Sequence, residues 1–258
     1  MKSCLGFIGA GAITEAMVTG LVHAMPDALK IIVSARNHEV AKRLAANHHQ
    51  VVIESSNQAI IEQADIVVLA IRPQVAESVI RPLLFRDGQK IISVIAATPI
   101  SLLQRWIDVD VAITQAIPLP FVAHCQGVTA IYPPDEEVVS LFDKLGRAVE
   151  CDRKEDYDLL AAASALMSTY YGVLDSAKRW LCAQGLQGSK AENYLSHLFA
   201  SLSQPLTSNA SQSFEALSVS FATPGGLNEQ VLHDFIKQGG DRALHQALDN
   251  VLERITQK

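Results

Sequence analysis

The stretch Cys4-Leu5-Gly6-Phe7-Ile8-Gly9-Ala10-Gly11-Ala12-Ile13-Thr14-Glu15-Ala16-Met17 decides how this chain is read. An apolar run ends in Gly-Ala-Gly and then turns amphipathic, the pattern of a buried strand, a tight turn and the first turn of a helix. Gly9 lets the strand turn sharply. Gly11 lets the backbone approach a pyrophosphate, whose charge suits the unpaired N–H groups and dipole of the following helix. Thr14 stands where the dinucleotide fingerprint has its third glycine, so the motif is incomplete. A Gly-x-Gly alone also reads as a plain strand–helix turn; a second strand at the right distance favours the dinucleotide site.

That second strand is Ile31-Ile32-Val33, and its end bears on the cofactor. About 20 residues past the glycines an NAD site places Asp or Glu on the ribose 2′-OH. Here the chain reads Ser34-Ala35-Arg36-Asn37, with no carboxylate. Ser34 can donate a hydrogen bond and Arg36 can pair with a 2′-phosphate, which favours NADPH over NADH. The alternative leaves Arg36 as a solvated residue at a strand end.

Working outward, helical stretches at Glu15 to Val22, Val40 to Ala46 and Asn57 to Gln63 alternate with short apolar runs at 51–53 and 65–71. The run Asp65 to Ile71 reads as a buried strand stopped by Arg72-Pro73, which puts Ala70, Ile71 and Pro73 at the carboxyl edge of a sheet, where ligands bind in open α/β folds. A helix over 75–84 leads to a strand over 90–95, whose end, Ala96-Ala97-Thr98-Pro99, is small enough to leave room for a nicotinamide ring. Then come a helix over 101–106, a strand over 111–114, a Pro-rich turn at Ile117-Pro118-Leu119-Pro120 and a strand over 128–132. Pro133-Pro134 followed by three acids reads as a helix start, Gly146 as its end, and 147–151 as a last strand. This alternation predicts a doubly wound α/β domain over 1–152.

From Glu155 the strand signals fade. Asp158 to Leu181 reads as one long helix mildly interrupted at Gly172, followed by helices over 191–202, 212–219 and 242–255. Thr223-Pro224-Gly225-Gly226-Leu227-Asn228-Glu229 is a second glycine loop feeding a helix, closed by Gly239-Gly240, and its N–H groups make an anion seat. Residues 153–258 thus read as a helical domain with small-residue faces, suited to a homodimer or a higher homo-oligomer.

Bulk properties narrow the class. The 258 residues are 49% hydrophobic and 19% charged, with a net charge of -6, which argues against nucleic acid or an anionic membrane as partner. No apolar run reaches the roughly 18 residues of a membrane span. Glu15 interrupts the N-terminal apolar stretch, which does not read as a signal peptide. Cys4, Cys125, Cys151 and Cys182 lack paired or metal-type spacing and suit a reducing cytoplasm. His48-His49 read as diverging on a helix, and no structural metal is expected. His124, Cys125 and the pair Tyr170-Tyr171 read as structural, and Arg153 to Asp156 as a solvated linker.

Together and in this order, the landmarks resemble the pyrroline-5-carboxylate reductase family. Its Gly-Phe-Ile-Gly-Ala-Gly is matched by Gly6 to Gly11, and its Leu-Ala-Val-Lys-Pro-Gln by Leu69 to Gln74. Its Ser-Ile-Ala-Ala is similar to Val94 to Ala97, its Gly-Val-Thr-Ala to Gly127 to Ala130, and its Pro-Gly-Gly to Pro224 to Gly226. The resemblance implies an N-terminal Rossmann domain, a helical dimerisation domain and NAD(P)H-dependent reduction of a cyclic imine, pyrroline-5-carboxylate or a related imino acid. It implies a cofactor site at Gly9, Gly11, Ala12, Ile13, Ser34, Arg36, Ala70, Ile71, Pro73 and Ala96. It further implies a substrate carboxylate held by Thr223, Gly225, Gly226 and the Leu227 N–H, with Asn228 and Thr223 in catalytic positions.

Three substrate-side motifs depart from the family. Thr-Thr after the glycines is Leu227-Asn228; Ser-Gly-Ser-Gly-Pro-Ala-Tyr becomes Ser164 to Tyr170, keeping only its ends; Met-Pro-Asn-Thr-Pro becomes Ile117 to Phe121. A second reading is carbonyl reduction, as in the similarly built β-hydroxyacid dehydrogenases, whose catalytic lysine has no counterpart here before Lys178. A third is a nucleotide-binding protein without catalysis.

Overall fold

The computed structural model describes residues 3–26, 29–208 and 213–256. They divide into two compact units, one running to Ala161 and one starting at Ala162.

The first unit is a doubly wound α/β fold. Its strands are β1 (Ser3–Ile8), β2 (Leu29–Ser34), β3 (Val51–Glu54), β4 (Ile66–Leu69), β5 (Lys90–Ser93), β6 (Ala112–Pro118), β7 (Gly127–Tyr132) and β8 (Gly146–Glu150). They form one sheet in the order β3-β2-β1-β4-β5-β6-β7-β8. All neighbours pair in parallel except β6 and β7. Helices α1 (Ala12–Ala24), α2 (His38–Asn47), α3 (Asn57–Gln63), α4 (Pro73–Ile80), α5 (Ile100–Trp106) and α6 (Glu136–Asp143) connect them.

Side-chain alternation along the strands explains the two layers. Leu5 and Phe7 of β1 and Ile66 and Val68 of β4 pack in one core with Met17 and Leu21 of α1 and Phe142 of α6. Cys4 and Ile8, with Val67 and Leu69, pack on the other face against Ile60 of α3, Ile80 of α4 and Leu103 of α5. Each such side chain, fully buried, contributes about 1.5–3 kcal/mol. Both faces of the sheet are therefore dry, and the strands read as apolar runs. The strand order reverses between β1 and β4, and that crevice lies at the carboxyl ends of the strands.

The second unit is helical. Helix α7 (Lys154–Ala163) crosses the division and is followed by α8 (Leu166–Ala183), α9 (Gly188–Ser208), α10 (Phe214–Phe221), α11 (Leu227–Lys237) and α12 (Gly240–Thr256). Among its described residues the buried apolar ones are Ala162, Ala191 and Leu195.

The structure corrects several local expectations. The Pro-rich turn begins later: Ile117 and Pro118 continue β6, opposite Ala130 and Thr129, and the chain turns in a 3-10 helix over Pro120–His124. A proline is tolerated there because the strand ends with it. The prolines at 133–134 stand outside α6, whose cap is Asp135, accepting from the Glu137 and Val138 N–H groups. The long helix breaks at Ser164-Ala165 rather than at Gly172, because the Ala165 N–H bonds back to Ala162, 3.1 Å away, in a tightened last turn. Gly172 sits inside α8. Gly240 opens α12 rather than closing α11. His48 ends α2 and His49 follows it in a turn, so the pair is not helical. The expected helix residue Gln212 lies outside the described residues.

Candidate active site

Gly9 leaves β1 with φ +107, and a Cβ there would stand 2.2 Å from the Ala70 carbonyl oxygen, so only glycine fits. Three hydrogen bonds fix the turn. The Gly9 N–H donates to the Ser34 hydroxyl at 3.0 Å, the Thr14 hydroxyl donates to the Gly9 carbonyl at 2.8 Å, and the Ala70 N–H donates to Ile8 at 2.9 Å. Thr14, fully buried in α1, thus stands in place of a third glycine by holding the loop from below. Ser34 is 2% exposed, so its hydroxyl belongs to the loop as much as to any ligand. Sequence reasoning treated Thr14 only as a gap in the motif; a hydroxyl five residues past Gly9 was the available signal.

Above this turn the N-terminus of α1 is open. Gly11 caps it without a side chain, and a Cβ at Gly11 would meet nothing within 4 Å. Gly11 and Ala12 are exposed and Ile13 half-buried. Glu15 lies in the first turn, where its carboxylate could fold back onto the free N–H groups. It is drawn away by Arg43 of α2, bonded at 2.6 and 2.8 Å, and this pairing lowers its pKa. The backbone seat for an anion is left clear.

The other residues expected on the cofactor side sit at ends of parallel strands on the same edge. Arg36 follows β2, is exposed, and makes no ion pair among the described residues. Ala70 and Ile71 follow β4, and Pro73 opens α4. Ala96 and Ala97 follow β5 and are exposed, Ala97 with φ +50. The Thr98 hydroxyl donates to the Ala96 carbonyl at 3.1 Å, and the Gln115 amide donates to the Thr98 carbonyl at 2.8 Å, so this small-residue shelf is tied to β6. Sequence reasoning missed Gln115, a buried amide in an apolar strand.

The second glycine loop belongs to the helical unit. Gly226 N–H donates to the Thr223 carbonyl at 2.7 Å, with Pro224 and Gly225 between them and Gly225 at φ +71, the type II turn pattern. Asn228 donates its side-chain amide to the Phe221 carbonyl at 2.9 Å. The Gly225 N–H donates to the Glu229 carboxylate at 2.6 Å. Of the expected carboxylate ligands, the Gly226 N–H is thus used within the turn, while Leu227 and Thr223 are exposed. An open cleft of about 310 Å³ lies against Gly225, Gly226, Glu229, Gln230 and His233. Glu229 was overlooked as a functional residue, although Glu three positions past a helix cap is a recognisable signal.

Residues read as structural are occupied in the fold. The Cys125 thiol donates to the Gly20 carbonyl, and Tyr170 and Tyr171 stack edge to face, centroids 5.2 Å apart. Lys178 of α8 pairs with Glu192 of α9 at 2.7 Å. Lys154, ahead of it in α7, is bonded to Asp158. No group of three metal-ligating side chains occurs among the described residues.

Residues 4–97 match the family described as NADP oxidoreductase, coenzyme F420-dependent. Over nearly its full length the chain is similar to the pyrroline-5-carboxylate reductase of Staphylococcus saprophyticus, 26% identical with 98% of each chain covered. Among solved structures, 1-pyrroline-5-carboxylate reductase from Streptococcus pyogenes superposes with a TM-score of 0.82 at 25% identity, covering 99% of this chain and 98% of that one. The pyrroline carboxylate reductase of Plasmodium falciparum, solved with NADP bound, shares the fold with a TM-score of 0.78 at 19% identity and the same coverage.

Proposed function

We propose, from its similarity over nearly its whole length to pyrroline-5-carboxylate reductases, that the chain is a divergent relative of them and an NADPH-dependent reductase of a cyclic imine, pyrroline-5-carboxylate or a related ring. The observation that carries the reading is the open N-terminus of α1 beside a clamped Gly9 turn, in a chain similar over its whole length to reductases of that name.

The residues fit a dinucleotide. The space above Gly11 accepts a pyrophosphate, which the free N–H groups of Ala12 and Ile13 and the helix dipole would hold. Arg36 would pair with the 2′-phosphate, and Ala70, Ile71, Pro73 and Ala96 would border the cofactor at the strand ends. NADPH supplies a hydride. The chain's own residues bind, orient and keep water out, and orientation of two reactants can contribute about 7–11 kcal/mol. Asn228, with its amide N–H fixed on Phe221, keeps its oxygen as an acceptor, which suits the N–H of a protonated imine.

The helical unit supports self-association. Trp180 is 63% and Phe214 79% exposed, and Tyr171, Tyr194 and Val231 are exposed as well, in a unit with few buried apolar residues of its own. A unit of this size does not hold itself together without a core, and a second copy of the same helices supplies one. We assign residues 153–258 to dimerisation and substrate binding and 1–152 to the dinucleotide. Among the described residues no helix is long and apolar enough to cross a membrane, and the four cysteines are unpaired. Free thiols and NADPH chemistry support a cytoplasmic protein, and the net charge of -6 argues against a nucleic-acid partner.

The test is NADPH oxidation with pyrroline-5-carboxylate, pyrroline-2-carboxylate, a piperideine carboxylate and 1-pyrroline. Turnover of at least one ring imine is expected. Tight NADPH binding with no turnover across the panel would refute the reading.

A further inference from the structure

A carboxylate seat at a helix N-terminus works only while its N–H groups are unspent. On the second glycine loop the N–H groups of the two glycines are spent, while those that open α11 from Leu227 onward carry no side-chain cap. The Gly225 N–H is taken by the Glu229 carboxylate at 2.6 Å, the Gly226 N–H by the Thr223 carbonyl at 2.7 Å, and the Asn228 amide by the Phe221 carbonyl at 2.9 Å. The first of these partners is a carboxylate, and among the described residues the adjoining cleft is lined by Gly225, Gly226, Glu229, Gln230 and His233, with no lysine or arginine. The sequence change runs the same way: the two hydroxyls that follow the glycines in the resembled family are an apolar Leu227 and an amide already engaged.

The contrast with α1 shows that the placement of Glu229 has a consequence. Both helices carry a glutamate in the first turn. Glu15 is pulled off its helix end by Arg43, whereas Glu229 has no ion-pair partner among the described residues and folds onto the loop. A second carboxylate arriving at Gly225 would have to displace Glu229 and then remain beside it, like charge against like charge.

Taking the reductase reading as given, we propose that Glu229 is a specificity-determining residue, which occupies the seat of a ring carboxylate and directs the protein to cyclic imines that carry none. Such a ring, protonated on nitrogen, is a cation, and the Glu229 carboxylate at the cleft favours it over a zwitterionic imino acid.

The experiment compares full-length protein with Glu229→Gln, which keeps an oxygen for the Gly225 N–H and removes the charge. Two readouts are taken: kcat/KM for 1-pyrroline and for pyrroline-5-carboxylate, and calorimetric binding of tetrahydrofuran-2-carboxylate, an unreactive ring acid, with NADPH present. The wild type is expected to favour 1-pyrroline by about tenfold or more, and Glu229→Gln to shift the ratio toward the acid by about tenfold, chiefly through KM. The ring acid is expected to bind the variant about tenfold tighter. A wild type that prefers the acid, or a variant that moves both imines equally, overturns the proposal. If neither imine is reduced by either protein, the reductase reading fails, and the binding arm alone decides on Glu229: tightening upholds its role and unchanged binding overturns it.

Discussion

The two glycine loops use the same local device, a turn that delivers backbone N–H groups to the start of a helix, and they end in opposite states. At Gly9 to Gly11 the supporting bonds come from beneath, from Thr14 and Ser34, and the helix end is clear. At Pro224 to Gly226 the loop bonds to itself and to Glu229, so the two glycine N–H groups are spent ahead of a helix that opens at Leu227 without a side-chain cap. The difference teaches that an anion site is not set by glycines and a helix alone. It depends on where the nearest carboxylate is sent, and here Arg43 sends one away while nothing restrains the other.

Predictions follow from the ways this comparison can be broken. The largest effect belongs to Gly9→Ala, whose Cβ would overlap the Ala70 backbone at a positive φ. A loss of about 2–4 kcal/mol in stability is expected, read as a lower urea midpoint together with loss of NADPH binding. Gly11→Ala separates the two effects. Its Cβ meets no protein atom, so the melting temperature should stay within about 2 °C while NADPH affinity falls at least about tenfold, because the methyl fills the cradle.

Asn228→Ala should lower kcat by about 10- to 100-fold, the worth of one hydrogen bond to a charged group, with NADPH binding unchanged by fluorescence titration. Equal loss of both would make the loop purely structural. Arg36→Ala should raise KM for NADPH about tenfold or more and leave KM for NADH near its starting value.

The subtlest change is Arg43→Gln. With its partner gone, Glu15 can turn toward the N-terminus of α1, and KM for NADPH should rise a few-fold. The stability cost should stay within about 1 kcal/mol because the pair is exposed. The sign of its pH dependence is fixed by Glu15, whose pKa is lowered by the hydrogen bonds from Arg43. That stabilisation is present above the ordinary Glu pKa of about 4.3 and is lost as the pH falls through the lower folded value. Wild type and Arg43→Gln should therefore converge in urea midpoint below that range.

Much of the fold was legible because buried parallel strands are short apolar runs, and those of β2, β3, β4 and β5 stand between helical stretches. The helix break at Ser164-Ala165 was not, since neither residue is a strong breaker and Gly172 looked the better candidate. Nor was the continuation of β6 through Pro118, because a proline at a strand's last position reads as a turn. At the candidate site the two glycine turns were legible from residue type. Thr14, Gln115 and Glu229 were not, because each acts through a bond to a backbone group, the Gly9 carbonyl, the Thr98 carbonyl and the Gly225 N–H, and residue type does not say which group a side chain meets. Spacing reveals a loop, but not what already fills it.

The measurement that bears most directly on the account is NADPH consumption by the purified protein with each ring imine of the panel, followed by identification of the saturated amine product. The account predicts stoichiometric conversion of a C=N bond to an amine, dependent on NADPH and abolished in Gly9→Ala. NADPH bound tightly and never oxidised in the presence of any of these imines would contradict it.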